Sequence, residues 1–313
     1  MASEQATTVD WWAFRSLSTV PATRSEVAKA FHAASGVSSG VTFQARGSGW
    51  QGYESSDNIM FGDLPIGVMA YGGKQQNGWV YTSFSATGVH WMRDCDRANE
   101  TLRFLPNYSL RRVDIALTAK DGSLCHSDVL GAYRAGEFTL RGRPPSLKQI
   151  LPDDPREGRT IYIGNRANDK FFRGYEKGFE MLAGVPAALR DGCTMIDGAP
   201  PEDIYRLELE LKPKTCELPG DLIDRRDQYF AGAYPYLQHV LNVEPELLNI
   251  RPEKVAQMDM DAALAQVRHQ YGSTLFTALI AHHGSVGDVW AKICGDKHNE
   301  RLLATGALMV EHC

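Results

Sequence analysis

Hydrophobic and polar residues alternate through much of the first two thirds of this chain. Residues 9–18, VDWWAFRSLS, have the aromatic-rich pattern of a strand, and residues 40–110 combine glycine, serine and threonine with aromatic side chains in short alternating stretches. Such stretches between turn residues indicate antiparallel strands. The first third is therefore predicted to be mainly β, with one helix over 24–34 that Thr23 caps.

The last third of the chain changes to helical spacing. Apolar residues recur at helical intervals over 222–241, 260–271 and 272–284. Before this part, residues 133–159 are rich in glycine, proline and charge, which is typical of a mobile connection rather than a core element. We predict an α+β fold with a twisted antiparallel β-sheet core, flanking helices and a helical C-terminal region.

The cysteines and the apolar runs favour a cytoplasmic protein. The six cysteines contain no C-x-x-C pair, which argues against a zinc knuckle or a disulfide framework and favours free thiols. The longest apolar runs fall far short of the ~20 residues that a membrane span needs, and the amino terminus lacks a targeting pattern. We expect a cytoplasmic location and no membrane partner.

Charge is distributed unevenly along the chain. The formal net charge is -5, yet residues 101–180 carry 14 Lys and Arg against 10 Asp and Glu. This basic middle of an otherwise acidic chain is compatible with a site for an anionic ligand, and equally with a solvated surface.

Two segments with strand alternation place carboxylates opposite an apolar face. In RRVDIALTAKDG, Asp114 lies opposite Val113 and Ile115, and in YRLELELK the acidic Glu208 and Glu210 alternate with leucines. If the two strands are neighbours, Asp114 and Glu208 converge on a hard divalent cation, which prefers oxygen ligands. The alternative is a solvated sheet face with ordinary charges, and we interpret Glu210 as a surface residue.

The segment FFRGYEKG places a phenol between two cations. Strand alternation puts Arg173, Tyr175 and Lys177 on one face and Phe172 on the other. A tyrosine titrates near pKa ~10, so as a nucleophile at neutral pH it needs positive charge, a base or a metal nearby. The two cations are candidates for that charge and for phosphate contacts. The alternative is an amphipathic strand whose tyrosine packs at a sheet edge.

Taken in order, the segments RRVDIALTAKDG, TIYIGNRANDKFFRGYEKGFE and YRLELELK resemble the replication initiation factor family. This family includes rolling-circle initiators of plasmids and filamentous phages, and related conjugative relaxases share the pattern. The resemblance spans roughly residues 105–215. Its most specific part is an aliphatic-Tyr-aliphatic-Gly start followed by Arg-x-Tyr-x-Lys-Gly.

The resemblance implies a role for several of these residues. Tyr175 would attack DNA, and Asp114 and Glu208 would belong to an acidic set that binds Mg²⁺ or Mn²⁺. Basic residues of the same segments would contact phosphate or the active site: Arg112, Arg173, Lys177 and Arg206.

One position departs from the family pattern. Where many relatives carry a second acid four residues after the first, this chain has Thr118. Either the metal-binding set is smaller here, or another acid such as Glu176 or Asp121 takes the place.

As a whole, the resemblance implies a phage- or plasmid-encoded rolling-circle DNA replication initiator. It would nick and rejoin single-stranded or hairpin origin DNA through a 5′-phosphotyrosyl intermediate. The resemblance also implies that host helicase, polymerase and single-strand-binding protein are its partners. The chain has no GxxxxGK[ST] loop, so we do not expect it to hydrolyse nucleotide to unwind DNA itself. The expected organisation is a polar tail over 1–8, a DNA-nicking domain over 9–220 and a helical region over 221–313, with a homodimer left open.

Alternative functions stay open at this point. A non-catalytic origin-binding protein or repressor is favoured by Thr118 and the negative net charge. A nuclease that uses water and a conjugative relaxase are two others. The His-x-His pattern of a better-known class of nickases is absent, and we interpret His282 and His283 as a helix-end pair rather than a metal site.

Overall fold

The computed structural model describes residues 5–140, 142–190, 192–249, 252–304 and 306, so half of the predicted polar tail lies outside it. In this part of the chain ten strands form one open antiparallel sheet in the order β2-β3-β4-β5-β1-β6-β10-β9-β8-β7. The strands are β1 Thr8–Ser16, β2 Val41–Ala45, β3 Ser55–Phe61, β4 Leu64–Tyr71, β5 Val80–Phe84, β6 Ser109–Ala119, β7 Leu147–Ile150, β8 Thr160–Ile163, β9 Lys170–Tyr175 and β10 Tyr205–Leu211. The predicted α+β fold is confirmed.

The helices fall into two compact units. The first unit comprises residues 1–213 and 218–248 and contains the sheet, and the second comprises residues 214–217 and 249–313. Helices of the first unit are α1 Val20–Ser35, α2 Ala86–Met92, α3 Cys95–Leu102, α4 His126–Arg134, α5 Lys177–Ala183, α6 Ala187–Arg190, α7 Arg226–Ala231 and α8 Pro235–Leu241. Those of the second are α9 Pro252–Ala281, α10 Val286–Ile293 and α11 Glu300–Ala304. No helix in the described residues is long and apolar enough to cross a membrane.

Three local predictions are wrong. The first helix begins at Val20, with Thr19 as its cap, because a proline is tolerated in a first helical turn. The predicted β region over 40–110 also contains α2 and α3. The connection over 133–159 is not only a mobile loop: it contributes β7, and Phe138 is 1% exposed against Phe172 and Tyr234.

One face of the sheet forms the core, which the helices cover. Along β1, Trp12 and Phe14 are fully buried, and Trp12 is paired with Val113 of β6. Leu209 of β10 continues the same face between Ile115 and Phe172. Burial of these apolar side chains is the main term that holds the sheet against α1, α2 and α4.

The opposite face carries polar side chains, and two bulges increase their number. Asp10 is the extra residue where the pairing of β1 with β6 shifts between Val9 and Trp11. Arg111 is the extra residue of β6 where the pairing shifts again, between the partners of Ala13 and Phe14. A bulge interrupts strict alternation, so consecutive side chains can serve the same face.

The chain before β1 is fixed by a buried carboxylate of α7. Asp227 accepts hydrogen bonds from the backbone N–H of Ala6 at 2.7 Å, from the N–H of Thr7 at 2.9 Å and from the Thr7 hydroxyl at 2.5 Å. Asp227 and Thr7 are 7% and 1% exposed. The segment that leads into the central strand β1 is thereby attached to the helical layer.

We predict that Asp227→Ala lowers the free energy of unfolding by about 2–3 kcal/mol, because it leaves buried donors of Thr7 without an acceptor. Denaturant unfolding of the whole chain measures this. The control is Asp153→Ala, an exposed aspartate, which should change the value by less than about 0.5 kcal/mol. Equal stability of the two variants would contradict the anchoring role of Asp227.

Candidate active site

Neighbouring strands place the predicted site residues side by side at the centre of the sheet. Strand β10 lies between β6 and β9. In this register Glu208 is opposite Arg173, and Arg206 is opposite Tyr175. On the other side of β10, Glu210 is opposite Asp114. The strand adjacency that the sequence left open is therefore present.

Asp114 and Glu208 are buried carboxylates, each 2% exposed, and each is held by an arginine. Arg112 donates two hydrogen bonds to Asp114, from Nε at 2.8 Å and from Nη2 at 2.5 Å, and Arg173 donates one to Glu208. Burial raises the pKa of Asp114 to about 6, against the opposing effect of Arg112. Burial likewise raises the pKa of Glu208, opposed by the charge of Arg173. The arginines thus favour the charged form of both acids.

Glu210 belongs to the same cluster, so its interpretation as a surface residue is wrong. It is 3% exposed, and the guanidinium groups of Arg112 and Arg166 lie 3.1 Å and 3.4 Å from its Oε2. Lys212 forms a further ion pair with it. The signal was present in the alternation of YRLELELK, since Glu210 shares the face of Glu208.

Arg206 connects Thr118 to Asp10, an acid of β1 that is not among the predicted site residues. Arg206 donates from Nε to the Thr118 hydroxyl at 2.9 Å and from Nη1 to Asp10 at 3.0 Å. Asp10 is the bulged residue of β1, and its charge raises the pKa of Glu208. We therefore regard Asp10 as the additional acid beside the cluster.

Neither acid proposed to replace the missing one is held in this cluster. Glu176 accepts hydrogen bonds from Arg159, at 2.6 Å from the backbone N–H and 3.0 Å from Nε. Asp121 is exposed beyond the end of β6 and accepts from the Ser123 hydroxyl at 2.5 Å.

Tyr175 ends β9 beside Glu208, and its hydroxyl donates to Oε2 of that residue at 3.5 Å. Burial raises the pKa of the phenol above its ordinary value, and Glu208 raises it further, whereas Arg206 and Arg173 lower it. Arg206 is thus a further cation beside Tyr175 that lowers the pKa of the phenol, as Arg173 does.

Lys177 lies on a helix rather than on the strand. It is the first residue of α5, its Nζ is 5.7 Å from the centre of the Tyr175 ring, and it pairs with Glu180 at 2.7 Å. The next residue, Gly178, permits the close approach of α5 to the backbone of Pro201, because a Cβ there would lie 2.0 Å from the backbone oxygen of Pro201. Packing therefore accounts for the glycine of the motif, and a phosphate contact for Lys177 stays a prediction.

The buried carboxylates of the cluster are of the type that a hard cation prefers, although in this structure they form ion pairs with arginine and lysine. No group of three or more Asp, Glu, His or Cys residues is placed to hold a metal ion in the described part of the chain. Asp114, Glu208 and Glu210 nevertheless supply buried oxygen atoms of the type that Mg²⁺ and Mn²⁺ prefer, and neither oxygen of Glu210 has a hydrogen bond of regular geometry among the described residues. We conclude that the residues fit a divalent cation chemically.

The histidine pair of the last third lies at a helix end. His283 follows α9 with a φ of 52°, and His282 Nε2 is 3.0 Å from Lys292 Nζ. This agrees with their interpretation as helix-end residues.

The fold and this cluster define an α+β protein with a tyrosine, buried carboxylates and arginines on one sheet face. A model of the replication initiation factor family matches residues 108–264. The chain belongs to the replication initiation factor family.

A solved structure gives a second comparison. It is described as the structure of a rolling circle replication initiator protein from Geobacillus stearothermophilus, with 16% identity and a TM-score of 0.51. The similarity covers 72% of this chain and 83% of that one, and at this identity it shows a shared fold alone. No curated protein sequence matches the chain significantly.

We predict that Arg173→Ala lowers the free energy of unfolding by about 2–3 kcal/mol, because it leaves the buried Glu208 carboxylate without its counter-charge. In a Glu208→Gln background the same change should cost at least about 1 kcal/mol less, since that charge is absent. Chemical denaturation of the four proteins measures the difference. Arg97→Ala, which removes an exposed arginine, is the control. Equal effects in both backgrounds would show that the two residues are not coupled.

Proposed function

We propose that this protein is a rolling-circle replication initiator that nicks and rejoins origin DNA with Tyr175 as the nucleophile. The observation that carries the proposal is the placement of Tyr175 beside Arg206, Arg173 and Glu208 on one face of the sheet. Family membership supports a role in replication initiation. The likeness to a rolling circle initiator favours this type of replication.

The reaction we propose is a transesterification. The Tyr175 oxygen forms a bond to the scissile phosphorus, and the bond from phosphorus to the 3′ oxygen of the preceding nucleotide breaks. The phenol loses its proton and the 3′ oxygen gains one, so the strand ends in a free 3′-hydroxyl. The downstream strand stays joined to the protein by a 5′-phosphotyrosyl bond. Attack by a 3′-hydroxyl on this bond reverses the reaction and restores a closed strand.

The chain's own residues supply orientation and charge. The contact with Glu208 orients the Tyr175 hydroxyl, and the arginines lower the pKa of this phenol against the effect of burial. Arg206 and Arg173 are partly exposed, so phosphate oxygens can reach their guanidinium groups. Positive charge placed before the reaction stabilises the charge that develops on the transferring phosphate.

We propose that Asp114 and Glu208, together with the newly recognised Glu210, hold a divalent cation, Mg²⁺ or Mn²⁺. When bound, this ion would polarise the scissile phosphate as a Lewis acid. The binding of single-stranded or hairpin origin DNA, and cooperation with host helicase, polymerase and single-strand-binding protein, belong to the same proposal. A cytoplasmic site of action is also part of the proposal.

We predict that wild-type protein with Mn²⁺ cuts a single-stranded origin oligonucleotide and becomes labelled by the fragment that carries a 3′ label. Tyr175→Phe should lower this transfer by roughly 10³-fold or more, because the attacking oxygen is absent. A denaturing protein gel with 5′- and 3′-labelled strands measures transfer. Tyr271→Phe, an exposed tyrosine of α9, is the matched control. Cutting by Tyr175→Phe without transfer would instead identify a nuclease that uses water.

We predict that Asp114→Asn and Glu208→Gln abolish cutting but leave oligonucleotide binding largely intact, because phosphate contacts hold DNA. Mn²⁺ at about 100 times its Kd should stabilise wild-type protein by ~2.7 kcal/mol, and neither variant should show this effect. Thermal unfolding with and without Mn²⁺ measures it. Asp153→Asn is the matched control. An undiminished Mn²⁺ effect in both variants would exclude these carboxylates as ligands.

A further inference from the structure

The polar face of the sheet continues beyond the candidate active site, across β1 to β5. Trp11 of β1 is opposite Asp114, and Arg15 of the same strand is opposite Tyr81 of β5. From Tyr175 on β9 to Tyr81 this face crosses four strand spacings, which is about 19 Å at ~4.8 Å each. The two tyrosines are also offset along the strands, because Tyr175 is level with Thr118 of β6 and Tyr81 is level with Ser109, which adds about 30 Å at ~3.3 Å per residue. The active site and the face of β1 and β5 are therefore one continuous surface of the first unit.

Aromatic rings gather around Tyr81 at the far end of this face. The ring centres of Trp50 and Tyr53 lie 5.6 Å and 6.2 Å from that of Tyr81, and the guanidinium carbon of Arg15 lies 4.0 Å from the centre of the Trp79 ring. All these side chains are partly exposed. A core cluster would be buried, so these rings leave surface open to a ligand.

Two arginines of this region differ from those of the active site. Arg112, Arg173 and Arg206 each pair with a carboxylate, whereas Arg15 and Arg111 form neither an ion pair nor a side-chain hydrogen bond within the residues that the structure describes. The Nε of Arg15 is shielded from solvent and has no acceptor among them.

The two arginines also repel each other. Burial lowers the pKa of Arg111, and the like charge of Arg15 lowers it further. Both arginines lie close enough to Tyr53 to counteract the rise of its pKa on burial. An anion between them would relieve the repulsion and satisfy unpaired donors.

We propose that this surface, composed of Arg15, Arg111, Trp50, Tyr53, Trp79 and Tyr81 and here named the arginine–aromatic surface, binds single-stranded DNA that flanks the nick. Its arginines contact the phosphates, and its aromatic rings stack on bases. The proposal rests on the proposed function, because it assigns the flanking strand of the same substrate. All but Arg111 lie outside the residues matched by the family model.

Single-stranded DNA is the partner that this chemistry fits. Proteins that bind single strands combine cations along the backbone with aromatic rings for unstacked bases, and stacking tolerates any base. In a duplex the base faces are already stacked on each other and unavailable to the rings. The offsets across and along the strands combine to a path of about 35 Å from Tyr175 to Tyr81, which holds about ten nucleotides at the ~3.4 Å per nucleotide of a stacked strand.

The first test measures binding of a fluorescent ten-nucleotide oligothymidylate without metal, so that it does not depend on cutting. Arg15→Ala/Arg111→Ala should weaken binding roughly tenfold and lower the slope of log K against log salt by about 1.4, the value for two phosphate contacts of a single strand. The matched control Arg97→Ala/Arg134→Ala removes two exposed arginines elsewhere and should bind like wild type. Binding of the first double variant equal to that of the control would overturn the proposal.

A second variant separates stacking from charge. Trp79→Leu keeps apolar bulk but removes the ring, so it should weaken binding of the oligothymidylate without changing the salt slope. Duplex DNA of the same length should bind wild type more weakly and should not distinguish Trp79→Leu from wild type. An equal loss on duplex and single strand would overturn the assignment to single-stranded DNA.

Failure of the proposed function has a different signature. If the arginine–aromatic surface binds DNA but Tyr175 is not the nucleophile, the binding differences persist and covalent transfer is absent. If Tyr175 is the nucleophile but this surface does not bind DNA, transfer to a short oligonucleotide persists and the double variant binds like its control.

Discussion

Buried carboxylates on a sheet face need cations beside them, and this requirement organises the centre of the molecule. An unpaired buried charge costs several kcal/mol, so Asp114, Glu208 and Glu210 are tolerated only with neighbouring arginines and lysine. Because β10 lies between β6 and β9, counter-charges reach its acids from both sides. The same pairing places Tyr175 beside Glu208.

This arrangement gives the arginines of one face two distinct environments. Near β10 the arginines form ion pairs with the acids, which favours the charged form of the carboxylates and restricts their rotation. Near β5, Arg15 and Arg111 have aromatic neighbours and, among the residues that the structure describes, no acidic partner, which leaves their donors available. Under the two proposals above, a DNA strand that crosses the face would meet the candidate active site at one end and the arginine–aromatic surface at the other.

Apolar burial on the opposite face of the sheet supplies the stability that the polar face does not. Fully buried Trp12, Phe14 and Leu209 attach the sheet to the helical layer, and Asp227 fixes the segment that precedes β1. Strand pairing holds the side chains of five neighbouring strands in fixed register, which the proposed in-line attack by Tyr175 requires. The polar face itself therefore has no need to be covered.

Alternation in the sequence determined much of this picture. It identified the strands that carry Asp114, Tyr175 and Glu208 and the leucine face of β10, because side-chain direction in a strand has a period of two. The segment motifs indicated the family, and the family model confirmed it. Helical spacing predicted helices over 222–241, 260–271 and 272–284; the structure divides the first of these between α7 and α8 and joins the other two in α9.

Only the tertiary structure decided which strands are neighbours and where alternation fails. The pairing of β10 with β6 and β9 buries Glu210, which local pattern alone assigned to the surface. The bulges at Asp10 and Arg111 add an acid and a cation to the polar face, although strict alternation would place both residues on the core face. Strand pairing and bulges depend on contacts between residues far apart in the chain, and a local pattern contains no information about those contacts.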